Sequence, residues 1–499
     1  MTQASSTLPD PSGELSPQNP DRNLDSDLDS DDLAADSNPP EPGFAEPGTS
    51  VAQADDADDP SDVASRARRR RRLPSLSSAA STFAALGIRN YRIYFFGALL
   101  SNIGTWMQRV AQDWLVLELS HGSGFAVGLT TALQFLPMLL MTPYGGVIAD
   151  RFDKRTILRI TQTWMALSAG ALGIMAVTGV AQVWEVFLLA FVFGMGTAFD
   201  NPARQAFVSE VVGRDRLPNA IGLNSTSFNA ARLIGPAVAG LVIAGFGTGW
   251  AILANAVSYL SMIVAITLID PRRLQKFDRP PRAKRQIREG FAYIRQRGDI
   301  MLVMGTVFFI GTFGLNFQMT SALMAQQTFH KGAGQYGILG TIMAIGSLIG
   351  SLIGARRKTK PRIRFVIMMA LIFAAIEIIV GMMPTFWSYA ALLPFMGLAS
   401  LLTLNSANMS VQMGVDPKLR GRVMAIYMML MQGGTPLGST FLGWVGQVFG
   451  ARWTLIGGGG LALIGVLASA AILSRRGGFR VTPEVTLRPL HLGLRTHAR

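Results

Sequence analysis

Six ionisable residues of this sequence sit where charge is expensive. Arg109 and Asp113, Asp200 and Arg204, Arg232 and Glu377 all fall inside long apolar runs. The first two pairs are spaced one helical turn apart, so each acid can meet its base on one helix face. Charge in an apolar medium is costly enough to mark such groups as functional candidates. The chemistry open to them is reversible proton binding, because an arginine engaging a carboxyl lowers its proton affinity and a withdrawn one restores it. A static charge network would use the same residues, and for Asp113 and Asp200 both readings stand open. Glu377 is accounted for by snorkelling or by facing a packed helix. Other chemistries find no support. The chain has no cysteine, which excludes disulfides, thiolate metal sites and cysteine nucleophiles. His121, His330, His491 and His497 are scattered at the edges of apolar runs, so no metal site is expected. No phosphate-cradling GxxxxGK[ST] run and no nucleophile–base constellation occurs, so neither a cofactor nor an enzyme is expected.

The elements that must hold these charges are helices crossing a membrane. Of the 499 residues 49% are apolar and 15% charged, against about 25% charged in soluble domains. Apolar stretches predict twelve spans at 92–118, 124–148, 156–178, 182–211, 217–245, 249–269, 300–326, 334–355, 362–383, 386–413, 421–448 and 452–474. Each is long enough to cross a core of ~30 Å. The runs are continuous rather than alternating, which excludes a strand barrel.

The breaks between spans set the orientation. Breaks after odd spans carry only Lys331 and Arg452, the latter at an edge. Breaks after even spans carry Arg151, Lys154 and Arg155; Arg214 and Arg216; Arg356, Arg357, Lys358 and Lys360; Lys418 and Arg420. Ten further bases crowd residues 270–299. The positive-inside rule therefore places the even breaks and both termini in the cytoplasm of a cell-membrane protein. Residues 1–62 hold 16 of the 31 acids but only Arg22 of the 45 bases, leaving 44 bases against 15 acids in the remainder. That excess suits the anionic face of a bilayer, and its placement between apolar spans argues against nucleic acid. The expected organisation is an acidic disordered tail ending in the polybasic cluster Arg66–Arg72 (1–82), a six-helix half (83–270), a basic linker (271–299), a second half (300–475) and a basic tail (476–499). The halves echo each other at an offset of 203 residues, which puts Gly235 on Gly438, Gly240 on Gly443, Gly247 on Gly450 and Trp250 on Trp453. Two related halves are what alternating access requires.

Three motifs carry a resemblance. Gly146-Val-Ile-Ala-Asp150-Arg151-Phe-Asp-Lys154-Arg155 resembles the major facilitator superfamily signature G-x-x-x-D-R-x-G-R/K-R/K, with Asp153 in place of the second glycine. Gly146 would let neighbouring helices approach closely, and Asp150 would accept hydrogen bonds from the N-terminus of a facing helix. The resemblance implies that span eleven, opening near Asp416 and Pro417, is that helix, and that the contact locks the outward-open state. Arg151, Lys154 and Arg155 could equally anchor the loop at the lipid surface. The matching break of the second half lacks the aspartate, so the lock is expected on one side only. Gly222, Ala231, Gly235, Pro236, Ala239 and Gly240 resemble the superfamily's antiporter motif Gx8Gx3GPx2GG, in which small residues pack helices and the proline bends one. Ser101–Trp114, Asp200–Gln205 and Asn219–Asn224 look like the drug and siderophore exporter branch, the enterobactin-exporter-like facilitators. The resemblance covers residues from about 83 to 475.

The implied protein is an all-helical bundle in two pseudo-symmetric halves, exporting a small amphipathic compound by proton antiport, and it is expected to be a monomer. Trp106, Gln108, Gln112, Asn316, Asn405 and Gln432 are the expected polar and aromatic edges of its cavity. A proton-coupled nutrient importer would want a more polar cavity and no antiporter motif. A non-transporting receptor of the same fold would have no use for a gate at Asp150.

Overall fold

The computed structural model describes residues 83–275, 286–355, 359–417 and 419–475. The acidic tail with its polybasic cluster, Lys276 to Arg285, Arg356 to Lys358, Lys418 and the C-terminal tail lie outside the described residues.

The described chain is helical throughout, without a strand. After a 3-10 turn at Ala84–Gly87, the first half comprises α1 (Arg89–Leu119), α2 (Gly124–Arg151), α3 (Lys154–Thr178), α4 (Val183–Phe246) and α5 (Thr248–Leu268). A linker helix, α6 (Gln286–Gln296), precedes the second half. There α7 (Gly298–Phe309) and α8 (Phe317–Leu323) form one crossing with π-helical turns at Ile310–Gly314 and Met324–Thr328. α9 (Ala333–Ala355), α10 (Ile363–Gly381), α11 (Phe386–Gly414), the paired α12 (Arg420–Gly433) and α13 (Thr435–Phe449), and α14 (Ala451–Arg475) complete it.

Among the described residues nine helices are long and apolar enough to cross a membrane. α4 is two crossings in one, α1 is diluted by its polar and charged residues, and α12–α13 is divided at Gly434. The twelve predicted spans therefore each have a helix. Within α4 the turn is made at Gly213 (φ 74°, ψ 175°), a conformation open to glycine alone. A Cβ there would also meet the Gln275 side chain. Pro202, Pro218 and Pro236 lie within the helix, and Gly213 is the position of α4 with non-helical torsions.

The two halves match in detail. Gly247 and Gly450, equivalent in the 203-residue echo, end their helices with the same φ of 93°. Gly235 of α4 lies against Trp106 on α1, and Gly438 of α13 lies against Thr312 at the first π-turn. Between the halves, α4 crosses α9 and α13 crosses α2. Gly240 meets the backbone of Gly334 and Gly337, and its counterpart Gly443 meets that of Gly124 and Gly128. Small residues let these backbones touch, which is how helices associate where no hydrophobic force separates them from lipid.

These seams lie at one end of the molecule. Gly124 donates from its backbone N–H to Gln447 at 2.9 Å, and Gln327 donates to the Gly122 carbonyl at 2.6 Å. One apolar core runs through both halves there, including Leu117, Ala239, Leu323 and Leu442. At the other end, which carries Arg151, Lys154, Arg216 and Arg297, each half has its own core. Tyr91, Phe207 and Ile269 belong to the first, and Val366, Val411 and Tyr427 to the second. The halves are joined at the seam end and parted at the basic end.

Candidate transport cavity and its charges

Between the parted halves lies a cavity of about 890 Å³ that reaches toward the basic end, with residues as far down as Ser209 and Leu217 on its wall. A deeper chamber of about 460 Å³ continues to Asp113, Asn316 and Thr435. Trp106, Arg109, Phe135, Phe228, Arg232 and Gln432 line both. Drug-sized ligands occupy pockets of roughly 300–1,000 Å³.

The two charged pairs read from the sequence behave differently. Asp200 and Arg204 form the expected ion pair, and Asp200 also accepts from Thr161 at 2.8 Å and Gln162 at 2.7 Å. Its carboxylate is thus fully engaged on α4 and α3, on the wall of the wider chamber. Asp113 and Arg109 do not pair. Asp113, buried, accepts instead from the Tyr336 hydroxyl at 3.1 Å, on α9 of the other half. Tyr336 is within 3.1 Å of the Gln318 carbonyl as well and stacks on Trp114 with ring centroids 6.1 Å apart. A hydroxyl has one proton to give, so it serves either the aspartate or the carbonyl at a given moment. The Arg109 guanidinium lies 4.8 Å from the Trp106 ring centroid and 5.5 Å from that of Phe135, with its Nε buried and unpartnered among the described residues. Arg232 approaches the same tryptophan at 5.6 Å. Glu377 lies off the cavity, buried beside Phe373 and Gly314, with Oε2 lacking a partner among the described residues, so it does not snorkel.

Of the expected cavity residues, Trp106, Asn316, Asn405 and Gln432 are on the wall. Gln108 and Gln112 are not. Both are buried on the side of α1 away from the cavity, where Gln108 accepts from Asn255 of α5. At about 100° per residue, positions 106, 109 and 113 share one face of α1 and positions 108 and 112 another.

At the basic end, the signature residues are spread over α2 and α3. Asp150 is exposed at the last turn of α2. Lys154 pairs with Glu210 at 2.8 Å, and Arg155 donates to the Ile266 carbonyl at 3.0 Å. Asp153, the departure from the signature, caps α3 by accepting from the Thr156 N–H at 3.0 Å. The close approach expected at Gly146 belongs to its neighbour: a Cβ on Gly146 would meet nothing within 4 Å, whereas one on Gly145 would lie 2.7 Å from the Ala198 carbonyl. Gly222 likewise stands in open space, whereas Gly235, Pro236 and Gly240 of the small-residue motif pack against neighbouring helices and Ala231 and Ala239 are fully buried. Pro236 packs on Gly337 and Gly340 of α9.

Sequence reasoning missed Tyr336, Phe135 and Phe228, since single aromatics in apolar spans carry no signal of facing a cavity. It also missed α6, whose Glu289 pairs with Arg422 and whose Ile294 is buried in the second half's core. Alternating bases and apolar residues over 286–296 were the available sign.

The family model of transmembrane secretion effectors matches residues 80–479, the whole helical body. The chain belongs to this family of major facilitator transporters. It is similar to the staphyloferrin A transporter of Staphylococcus aureus (24% identical, covering 72% of this chain and 90% of that one). It is also similar to macrolide efflux protein A of Streptococcus pyogenes (25%; 70% and 88%) and the enterobactin exporter EntS of Shigella flexneri (21%; 79% and 95%). In fold it resembles a bacterial homologue of the human lysosomal transporter Spinster, solved inward-facing and unoccupied (TM-score 0.60, 15% identical, covering 77% of this chain and 97% of that one). This is a multi-pass membrane transporter of the efflux and secretion type, not an enzyme.

Proposed function

We propose that this chain exports a small amphipathic compound, of drug or siderophore class, in exchange for protons by alternating access. The observation that carries the reading is the paired architecture: a two-chamber cavity reaches the basic end while glycine seams close the other. The positive-inside rule makes the basic end cytoplasmic, with the termini on that side of a bacterial plasma membrane and anionic lipids against its arginines. The cavity is then loaded from the cytoplasm. The staphyloferrin, enterobactin and macrolide transporters it resembles support the substrate class, and the enterobactin exporter and the macrolide efflux protein support the outward direction.

Asp113 is the proton site in this reading, because it lies on the cavity wall and holds a residue of the opposite half. Ionised, it accepts a hydrogen bond from the Tyr336 hydroxyl and ties α1 to α9. Protonated, it releases Tyr336 to the Gln318 carbonyl, and the seam end loses one of its ties. A proton thereby favours one of two conformations, and its gradient drives the cycle. In the outward-open state Asp150 meets the start of α12, a lock with no equivalent in the other half. The transporter works as a monomer.

The test is substrate flux in proteoliposomes with and without an imposed pH gradient. Asp113→Asn is expected to abolish uphill export while sparing downhill exchange, and Tyr336→Phe to displace the pH profile of transport. Asp113→Asn vesicles that still concentrate substrate like the parent would remove Asp113 from coupling. Uptake toward the basic side of oriented vesicles would select the nutrient importer instead.

A further inference from the structure

The charges on the cavity wall are unequally satisfied. Asp200 is held by Arg204, Thr161 and Gln162, and Asp113 by Tyr336. Glu118, at the seam end, accepts from Thr248, and Glu377 is off the cavity. Arg109 and Arg232 are left: among the described residues neither forms an ion pair or a hydrogen bond to an acid. Both line both chambers, and both stand within 6 Å of one aromatic ring, that of Trp106. Two guanidinium groups of like sign gathered on one tryptophan repel each other, and a ring face offsets only part of the cost of removing them from water. An arrangement of this kind is completed by an anion. Guanidinium is suited to the task, since its planar fork matches a carboxylate with two parallel hydrogen bonds.

The surroundings narrow the ligand further. Phe228 meets Trp106 edge to face at 5.5 Å, and Phe135 lies under Arg109. Both phenylalanines face both chambers. An acid group between the two arginines would place the atoms next to it among these three rings. We infer that Arg109, Arg232 and Trp106 form the substrate-recognition site, and that its ligand is an organic acid whose carboxylate adjoins a flat apolar ring. This rests on the transport reading but not on its proton coupling. An anion leaving a cell that is negative inside moves down the electrical gradient.

Three probes of one shape test the site: 2-naphthoate, 2-naphthylmethanol and 2-naphthylmethylamine. Each is applied to the purified full chain in lipid nanodiscs, with bound probe measured by equilibrium dialysis. The naphthoate is expected to bind at least about tenfold more tightly than the alcohol or the ammonium form of the amine. Arg109→Gln and Arg232→Gln should each remove most of that preference, and Arg109→Lys should keep part of it, since charge survives without the fork. Equal binding of the three probes by the parent, or preference for the amine, overturns the inference without recourse to a variant. A preference undiminished in both glutamine variants overturns it as well. None of these results depends on the direction or energy source of transport, so an export assay that fails in the same nanodisc-tested protein counts against the transport reading alone.

Discussion

At the scale of single residues, two acids that look alike in the sequence acquire different work. Asp200 is surrounded by Arg204, Thr161 and Gln162, and removing its charge strands a partly buried guanidinium. Asp200→Asn should therefore cost about 3 kcal/mol of stability, seen as a lowered thermal midpoint in detergent, whereas Asp113→Asn should leave that midpoint nearly unchanged. The i,i+4 spacing was legible for both pairs, but spacing cannot say whether two side chains turn toward each other. Arg109 turns to Trp106 and Asp113 to Tyr336, a residue 223 positions away that no local pattern could supply. Gln108 and Gln112 were misplaced for a simpler reason, since the helical angle that separates them from Trp106 was there to be read. For Asp150, exposed in this conformation, the expectation is of a state not seen here. Asp150→Asn should slow transport roughly two- to fivefold at near-normal expression, and unchanged turnover in reconstituted vesicles would remove it from the gate.

Among the helices, the spans and their order were legible because hydrophobic length is a one-dimensional property. All twelve expected spans have helices, and the echo between halves fell on glycines that share a torsion angle, Gly247 and Gly450. What touches what was less legible. A small residue announces that something can come close, and only the fold says whether anything does, which is why Gly145 packs and Gly146 does not. The seams of α4 on α9 and α13 on α2 invite a direct test. Gly443→Leu would drive a side chain into the Gly124 carbonyl and should part the seam end. Single cysteines placed near Gly122 and Gln447 would then label faster with a water-soluble maleimide, and the natural absence of cysteine leaves no background. Labelling as slow as in the unsubstituted seam would show that the seam does not close that end.

For the molecule as a whole, the working body spans residues 83 to 475, and the acidic first 62 residues have the composition of a chain that cannot build a core. Their deletion should leave membrane insertion and transport nearly intact, as checked by folded yield and vesicle flux; loss of folded protein would assign the tail a structural part. The seams also have a thermal consequence. They bring peptide groups and bare Cα atoms together, but the core they close over carries Leu117, Leu323 and Leu442 across both halves. Parting that end bares those side chains, so the heat capacity of the switch is set by them rather than by the glycine backbones. The curvature of the van't Hoff plot for the two conformations therefore measures how much of the shared core each passage between loading and release exposes.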